Sequence, residues 1–562
     1  MFRVGRVIRP QLVNIRLWEE ACSRHDDDIF DDEKVIDEVV QAASPKAINL
    51  TSVKGDRFQL NLARFHRLVD DLEVIDSAKE LLGWDQETNM PKNAESGKIW
   101  QLENLERMHQ EKLTSKVTLY LLRYFEERPN NERLSDIDKA LVSFVRQEYD
   151  REKNTPPKLS QKIKELEVRG IAILAKAREA NDFNLVVSHL EQMVALKRKE
   201  AECVGYQFSP YDALIRVWEP GVTTKDLDAC FAQIKKELIP IVKQFKGYTP
   251  KVNDDFLYKN YSKGKLKELC NEVLETIGFD FNSGRLDYST DPFCTDIGKS
   301  DTRLTVDIDG PNILGLLSYV LHEGGHALMQ QGIDEEIKGT LLDDAASFAL
   351  DESQARLFEN IIGLGKPFWI YFFPKLKKIF PAQLKDVSLD DFCKLINKVE
   401  VEPAEAGSEI LYSLSVIINY EIEKDLIEGK LQVKDLPKEW NKKMREYFGF
   451  VPEAYNEAGG LLFDHHWYVG YFAYFSNYTL GDIYAAQIFE SAKKDIPDLE
   501  VRIAGGNLKL LRDWLREKIH KHGNRKTTQE IIMETTGENL NPAYYINYLK
   551  NKYKALYPDV LT

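Results

Sequence analysis

The chain has 562 residues and a formal net charge of −15, and it is 43% hydrophobic and 30% charged. This composition is typical of a soluble globular protein with a large core. The negative charge argues against a surface for nucleic acids or anionic membranes, and no apolar run approaches the roughly 20 residues of a membrane span. Six cysteines are scattered without a Cys-x-x-Cys pair, which favours reduced thiols and a cytoplasmic location.

Residues 1–60 are predicted to be a leader outside the main domain. Arg3, Arg6, Arg9 and Arg16 alternate with apolar residues, and no acidic residue precedes Glu19. An Arg-rich, acid-poor start resembles a transit peptide for mitochondria or another organelle. The absence of Ser from the first eighteen residues and a helix-breaking proline favour a plain N-terminal extension instead. Both interpretations stay open.

Helical spacing of apolar residues dominates from Phe65 to the C-terminus. The first helix is predicted to run from Phe65 to Leu82 and to end at a loop that begins with Gly83. Further helices are predicted at 94–127, 136–152, 158–205, 223–246 and 265–277, and from 341 to 557 with breaks at Pro374, Pro403, Gly459-Gly460 and Pro542. The chain is therefore predicted to be mostly α, with one helical domain over residues 61–562.

Two segments alternate in the manner of β-strands, at 284–290 and 303–308. They stand immediately before the helix that carries the main motif of the chain. A sheet edge in that position would allow an extended peptide to pair its backbone as an additional strand.

That helix is predicted from Pro311 onward and contains His322-Glu323-Gly324-Gly325-His326, with Asp309 as its cap and Gly332 at its end. Positions i and i+4 share one helix face, so His322 and His326 can hold one metal ion. Glu323 lies beside them, where it can handle the proton of an activated water. Glycines within a helix are unfavourable, so a close approach by substrate or backbone is expected there. The alternative is a core helix with two incidental histidines.

A third ligand is expected from a later helix, predicted from Leu341 to Gly363. Glu352 in Asp351-Glu352-Ser353-Gln354 leaves room for a turn before the second helix. A glutamate on a helix is more often a solvated surface charge, and spacing alone does not separate these two interpretations.

The sequence resembles the carboxypeptidase Taq family of thermostable metallocarboxypeptidases from about residue 65 to the C-terminus. The segments that carry the resemblance occur in the family's order. They are Leu82-Gly83-Trp84-Asp85-Gln86-Glu87-Thr88, Ala180-Asn181-Asp182-Phe183, Pro210-Tyr211-Asp212-Ala213-Leu214, Glu219-Pro220-Gly221, Gly284-Arg285-Leu286-Asp287, Asp301-Thr302-Arg303-Leu304-Thr305, His322-Glu323-Gly324-Gly325-His326, Glu352-Ser353-Gln354, Asp464-His465-His466-Trp467 and Tyr478-Thr479-Leu480-Gly481.

The resemblance implies one large helical domain with a deep substrate cleft and a small sheet beside the metal helix, the zincin architecture of neurolysin and angiotensin-converting enzyme. It also implies release of single C-terminal residues from peptides, and a homodimer. His322, His326 and Glu352 would be ligands of one Zn²⁺, with cobalt as an alternative, and Glu323 the general base. Arg303 would bind the substrate carboxylate, although an ion pair with Asp301 or Asp307 fits this arginine equally well.

Four positions depart from the family pattern. Asp291 replaces the histidine of His-Pro-Phe and cannot donate a hydrogen bond when ionised. Asp351 replaces the histidine before Glu352, which should tune the surroundings of the metal rather than remove a ligand. The segment after Pro403 contains no arginine, and Phe463 stands where a glutamine is expected. His466 is a substitute donor for substrate, or an aromatic core contact.

These departures leave three hypotheses. The first is a zinc-dependent carboxypeptidase acting on peptides. The second is a catalytically impaired relative that binds peptides and is stabilised by its metal. The third is an oligopeptidase of altered specificity, which would cleave peptides with blocked C-termini.

Overall fold

The computed structural model describes residues 56–245, 248, 253–310, 312–399, 408–449 and 459–561. Residues 1–55 of the predicted leader and the break at Pro403 lie outside this part of the chain, whereas residues 57–60 belong to the first helix. The helices before the sheet are α1 Arg57–Thr88, α2 Glu95–Leu113, α3 Lys116–Glu126, α4 Arg128–Asn131, α5 Asp136–Asn154, α6 Pro157–Ala180, α7 Asn184–Val204, α8 Pro210–Trp218, α9 Thr224–Gln244 and α10 Lys263–Ile277.

Three strands follow, β1 Gly284–Tyr288, β2 Cys294–Asp296 and β3 Thr302–Val306. The helices after the sheet are α11 Ile313–Gly332, α12 Phe348–Arg356 with a π-helical continuation Leu357–Ile362, α13 Lys366–Ile379, α14 Leu389–Ile396, α15 Glu409–Ile427, α16 Leu436–Phe448, α17 Gly459–Phe463, α18 Ser476–Asp495, α19 Leu499–Ala504, α20 Lys509–Lys518, α21 Thr528–Thr536 and α22 Ala543–Leu556. The prediction of a mostly helical protein with a small sheet is confirmed.

The sheet has the order β1-β3-β2, with β1 parallel and β2 antiparallel to β3. Both predicted strands are present, although each is shorter than expected. Strand β2 was not predicted, because three residues are too few to show an alternating pattern. The antiparallel register pairs Cys294 with Leu304 and Asp296 with Thr302, so β2 is an edge strand beside α11.

The buried apolar residues form two clusters. The larger one surrounds α11 and the helices that follow it, while the smaller one joins α1, α3 and α5 to residues 333–342. The segment between α11 and α12 thus packs against the N-terminal helices, and a cleft lies between these helices and the sheet. Within the described part of the chain, no helix combines the length and apolar character that a membrane span needs.

The first helix corrects the predicted stop at Gly83, because α1 continues to Thr88. A glycine inside a helix costs about 1 kcal/mol relative to alanine. The buried ring of Trp84 outweighs that cost, since it packs under the guanidinium groups of Arg303 and Arg285, 4.3 and 5.1 Å from the ring. Long-range contacts, which local propensity does not register, therefore set the end of α1.

Three further predictions of helix ends are wrong. The cap of α11 is Asn312 rather than Asp309: the Asn312 side chain accepts hydrogen bonds from the amides of Leu314 and Gly315, while Asp309 pairs with Lys263. The helix predicted from Leu341 begins at Phe348, because the preceding residues form turns up to the Ser347 cap. Pro374 lies inside α13, where the burial of its apolar neighbours compensates for the lost backbone hydrogen bond.

Candidate active site

The two histidines of the motif lie on one face of α11, one turn apart, with ring centroids separated by 5.0 Å. The glycines between them have a steric cause. A side chain at Gly325 would come within 2.5 Å of the Ala355 Cα atom, and one at Gly324 would meet the side chain of Ile277. The expected close approach is therefore confirmed: α12 crosses α11 in backbone contact, and this contact brings α12 to the histidines.

Glu352 of α12 completes the group. One carboxylate oxygen, Oε2, lies 3.7 Å from His322 Nε2 and 3.6 Å from His326 Nε2, and the side chain is 1% exposed. The possible ligand atoms of the three residues all lie within 4.8 Å of one another. Glu352 is therefore no surface glutamate. Two imidazole nitrogens and one carboxylate oxygen converging on one point match the donor set of a catalytic zinc site.

Acidic side chains orient both imidazole rings from behind. Glu359 Oε2 lies 2.9 Å from His322 Nδ1, and Asp351 Oδ2 lies 2.7 Å from His326 Nδ1. These contacts favour a proton on each Nδ1 and leave each Nε2 free to face Glu352. Asp351, which replaces the family's histidine, thus holds the ring of a proposed ligand.

A buried arginine neutralises this group of acids. Arg356 donates from Nε to Glu352 Oε1 at 2.6 Å and from Nη1 to Glu359 Oε2 at 3.2 Å, and its guanidinium lies 4.7 Å from the Tyr412 ring. Burial alone would raise the pKa of Glu352 and Glu359. Arg356 and His322 outweigh burial and lower the pKa of both carboxyls to about 2. Both glutamates are therefore anionic, as metal ligation and ring orientation require.

Glu323 is also buried, but its balance of charges is different. Burial raises the pKa of Glu323, and Glu352 and Glu359 raise it further against the opposing effect of the two histidines. A carboxyl whose pKa is displaced toward neutrality is suited to accept and release a proton. Glu323 directly follows His322 in α11.

Sequence reasoning missed Arg356, Glu359 and the hydroxyl of Ser318, which donates to Glu359. Arg356 follows Glu352 by one helical turn, and Glu359 follows by two. This spacing could have identified both residues as members of the same helix face.

Arg303 lies within strand β3, and Asp301 directly precedes that strand. Arg303 donates to both oxygens of Asp301 at 2.9 and 2.7 Å and stacks on Trp84. The predicted ion pair therefore forms, and no contact links Arg303 to His322, His326 or Glu352 among the described residues. Asp291 is exposed, in the middle of the loop between β1 and β2.

His466 lies in a short loop with aromatic walls. Asp464 Oδ1 lies 2.8 Å from His466 Nδ1, and the imidazole ring stacks on Tyr474 with centroids 4.8 Å apart. The buried carboxylate of Glu423 holds this loop by accepting hydrogen bonds from Trp467 Nε1 and the Ala473 amide. Two of the departures from the family pattern lie outside the described part of the chain. They are the segment without an arginine, at residues 403–407, and the side chain of Phe463.

A cavity of about 510 Å³ opens on the other side of His326 and Asp351. Its walls come from α1, α2 and α5 on one side and from β2 and the segment before α12 on the other. Acidic residues dominate the lining. A helical fold in which such a cavity borders a group of two histidines and one glutamate, here at His326, is typical of a zincin-type metallopeptidase.

Comparisons with known proteins agree with this class. The family profile described as carboxypeptidase Taq (M32) metallopeptidase matches residues 64–553. Carboxypeptidase 1 of Bacillus subtilis is 37% identical over 498 residues, covering 88% of this chain and 98% of the relative. Thermostable carboxypeptidase 1 of Thermus thermophilus is 33% identical over 513 residues, covering 88% of this chain and 98% of the relative.

A solved structure gives the same answer. The M32 carboxypeptidase from Deinococcus radiodurans superposes with a TM-score of 0.85 at 29% identity, covering 89% of this chain and 100% of that structure. The chain belongs to the carboxypeptidase Taq (M32) family of metallopeptidases. It is a peptide hydrolase of the exopeptidase type, its substrates are peptides, and its family uses a divalent metal. The comparisons do not support a silent relative or an oligopeptidase.

Proposed function

We propose that the protein is a zinc-dependent carboxypeptidase that removes single residues from the C-terminus of peptides, with His322, His326 and Glu352 as the zinc ligands. The observation that supports this proposal most strongly is the meeting of both Nε2 atoms with one oxygen of Glu352. Nitrogen and carboxylate donors also suit cobalt, which is the alternative ion.

The proposed mechanism assigns a role to each residue. A bound divalent ion supplies Lewis-acid chemistry, polarising the scissile carbonyl and acidifying a water molecule. Glu323 accepts the proton of the attacking water and then delivers it to the departing amine. Glu359 and Asp351 hold the histidine rings, and Arg356 keeps the Glu352 carboxylate oriented and ionised.

Substrate contacts are the second part of the proposal. The free edge of β2 pairs with the peptide backbone, which explains how one cleft accepts many side chains. Arg303 is proposed to bind the terminal carboxylate while Asp301 fixes its guanidinium, and His466 is proposed as a donor to the substrate. Asp291 does not supply the hydrogen bond that a histidine would give there.

One experiment tests the reaction and its direction. Zinc-loaded protein is incubated with a free-ended peptide and its amidated form, with and without a chelator, and the products are identified by mass. We expect successive loss of C-terminal residues from the free-ended peptide alone, abolished by the chelator. Internal cleavage of the amidated peptide would contradict the proposal in favour of an oligopeptidase, and no cleavage of either peptide would favour a silent relative.

The role of Arg303 needs a separate measurement. We expect Arg303→Lys to raise KM for free-ended peptides while kcat changes little, because lysine cannot form the planar two-point contact with a carboxylate. A variant that loses thermal stability but keeps its KM would instead identify Arg303 as a structural partner of Asp301.

Two further proposals concern the setting of the enzyme. We propose that it acts inside the cell, in the cytoplasm or, through its Arg-rich N-terminus, in an organelle such as the mitochondrion. We also propose a homodimer. Fractionation of cells expressing the full chain and sedimentation of the purified protein test these two statements directly.

A further inference from the structure

The cavity beside the metal site has an unusual charge balance. We use the name acidic cavity for the part of its wall formed by Glu73, Glu80, Asp296, Asp343 and Asp344. Each of these carboxylates accepts from a neutral donor: Ser77, Thr295, Thr302, and the amides of Gly339 and Ala345, respectively. None of them lies within ion-pair distance of a basic side chain in the described part of the chain.

The cations that line the same cavity are already engaged. Lys79 lies 2.8 Å from Glu106 and 3.1 Å from Asp76, His109 lies 3.2 Å from Asp76, and Arg151 pairs with Glu148. Burial raises the pKa of Asp296 to about 8, and the facing carboxylate of Asp343 contributes to that rise. Carboxyls with raised pKa values hold a proton more readily while the cavity is empty, and a cation of the substrate would favour their ionised form.

Strand β2 connects this cavity to the reacting centre. All three of its residues line the cavity. Two hydrogen bonds join the ends of β2 to β3. The Thr305 amide donates to the Phe293 carbonyl, and the Ile297 amide donates to the Asp301 carbonyl. By the alternation of an antiparallel ladder, the peptide groups of Cys294 and Asp296 face the free edge. This is an observation independent of charge, and it indicates an extended peptide as the occupant.

The charge of the cavity decides which part of the peptide enters it. The C-terminal carboxylate of a substrate would meet several carboxyl groups there, and the cations of the described wall are already paired, so its entry is unfavourable. The single leaving residue must therefore point away from the cavity, and the residues before the scissile bond lie within it. A volume of about 510 Å³ also exceeds the needs of one leaving residue.

We propose that the acidic cavity makes this carboxypeptidase prefer peptides with a lysine or arginine among the residues preceding the scissile bond, with Asp296 and Asp343 as specificity-determining residues. This inference rests on the proposed function and names its substrate class. Asp296 ends the edge strand and faces Asp343 across the cavity wall, so an ammonium group between the two carboxylates would meet both.

The experiment uses zinc-loaded full-length protein and N-acetylated peptides, so that the side chain is the only cation. Lysine, Nε-acetyl-lysine or norleucine occupies each of the three positions before a C-terminal phenylalanine, and in a fourth series it replaces the C-terminal residue itself. We expect kcat/KM for the best lysine peptide to exceed that of its norleucine and acetyl-lysine counterparts about tenfold or more at low salt. The preference should shrink at about 0.5 M NaCl, since salt screens such attraction.

Variants locate the effect, because the ratio of lysine to norleucine rates is measured within each protein. The ratio should fall toward one in the double variant Asp296→Asn, Asp343→Asn. In each single variant it should fall by part of that amount. Asp386→Asn, an exposed aspartate remote from the cavity, should keep the ratio of the parent. Thermal unfolding verifies that each variant folds. If the double variant does not fold, the two single variants test the roles of Asp296 and Asp343.

The outcomes separate the two levels of the proposal. Cleavage of the norleucine peptide without any gain from lysine would overturn the preference and leave the carboxypeptidase assignment intact. A lysine gain that survives in both single variants would overturn the assignment to Asp296 and Asp343, and a gain only from lysine at the C-terminal position would overturn the direction. No chelator-sensitive cleavage of any peptide would overturn the proposed function itself.

Discussion

Carboxylates lie on two sides of His326, and the pKa values of the two groups are shifted in opposite directions. On the metal side, Glu352 and Glu359 flank Arg356, and their pKa values fall to about 2 despite burial. On the cavity side, burial raises the pKa of Asp296 to about 8 and that of Glu73 to about 7, with Asp343 raising both further. Both sides withdraw acids from water, so the presence or absence of a cationic partner accounts for the difference.

This difference has a functional meaning. The metal side is anionic because Arg356 and His322 outweigh burial, and in the proposed function this charge holds a metal ion and two imidazole rings. The carboxyls of the acidic cavity have no basic side chain within ion-pair distance in the described part of the chain, and we propose that a bound substrate provides one. The acidic residues around Arg356 therefore support the structure of the site, whereas the acidic residues of the cavity are proposed to recognise substrate.

The largest expected effect concerns Glu323, which stands where the two sides meet. Glu323→Gln removes the proton acceptor but keeps the size of the side chain, so we expect the rate to fall about 10²–10⁴-fold while zinc stays bound. Steady-state kinetics and elemental analysis of the same preparation measure both quantities. Glu335→Gln, at an exposed glutamate beyond α11, should act as the parent does. A parent-like rate in Glu323→Gln would show that another group moves the proton.

The next effect tests the cation of the metal side. Arg356→Met leaves Glu352 and Glu359 buried without their partner, and we expect the free energy of unfolding in the presence of chelator to fall by about 3–5 kcal/mol. The control is Arg128→Met, at a highly exposed pair with Glu132, which should change stability by less than about 0.5 kcal/mol. If the two variants unfold at the same denaturant concentration, Arg356 does not account for the difference between the metal side and the cavity side.

A smaller effect is expected behind the ligands. Glu359→Gln keeps a hydrogen-bonding side chain next to His322 but removes the charge, and zinc affinity should weaken about 10–100-fold. Competition against a chromophoric chelator measures this value, with the exposed Glu132→Gln as the control. Unchanged affinity would mean that Glu359 does not act on the metal through His322.

The smallest effect concerns stability on the cavity side. Because the folded-state pKa of Asp296 is raised above its ordinary 3.8, the folded protein retains a proton that the unfolded chain releases as pH rises from about 4 to 8. The parent therefore loses stability across that window. Asp296→Asn should gain on the order of 1 kcal/mol relative to the parent by pH 8 and nothing at pH 4, after allowance for partial exposure.

Denaturant unfolding at several pH values measures this gain. Asp386→Asn is the matched control and should follow the parent at every pH, because its carboxylate is exposed. A pH-independent difference for Asp296→Asn would show that Asp296 ionises normally, and it would weaken the contrast between the two sides.

Much of the site was predictable where it depends on neighbours along the chain. The pairing of His322 with His326 follows from helical periodicity, and the resemblance to a family indicated Glu352. Helical periodicity also places Arg356 and Glu359 on the same face as Glu352. No sequence rule, however, distinguishes a buried acidic side chain from a solvated one. Asp351 was expected to tune the surroundings of the metal, and it lies 2.7 Å from His326 Nδ1.

Errors arose where distant residues decide the outcome. The end of α1 depends on two arginines of the sheet that cover Trp84. The start of α12 depends on turns held by aspartates, and the cap of α11 depends on which of two nearby polar residues reaches the first amides. Asp309 pairs with Lys263, 46 residues earlier in the chain, and Asn312 caps α11 instead. Local patterns cannot rank two candidate contacts when a remote partner decides which one forms.

By itself the sequence determined that this protein is helical, that one helix carries a histidine pair and a general base, and that the chain resembles one family of peptidases. These features follow from periodicity and residue type. Only the tertiary structure decided that Gly325 lets α12 touch α11, that Arg356 compensates the acids behind the ligands, and that unpaired acids gather in a cavity beside them. Charge compensation and close contact depend on distances of a few ångströms, and only the folded chain sets these distances.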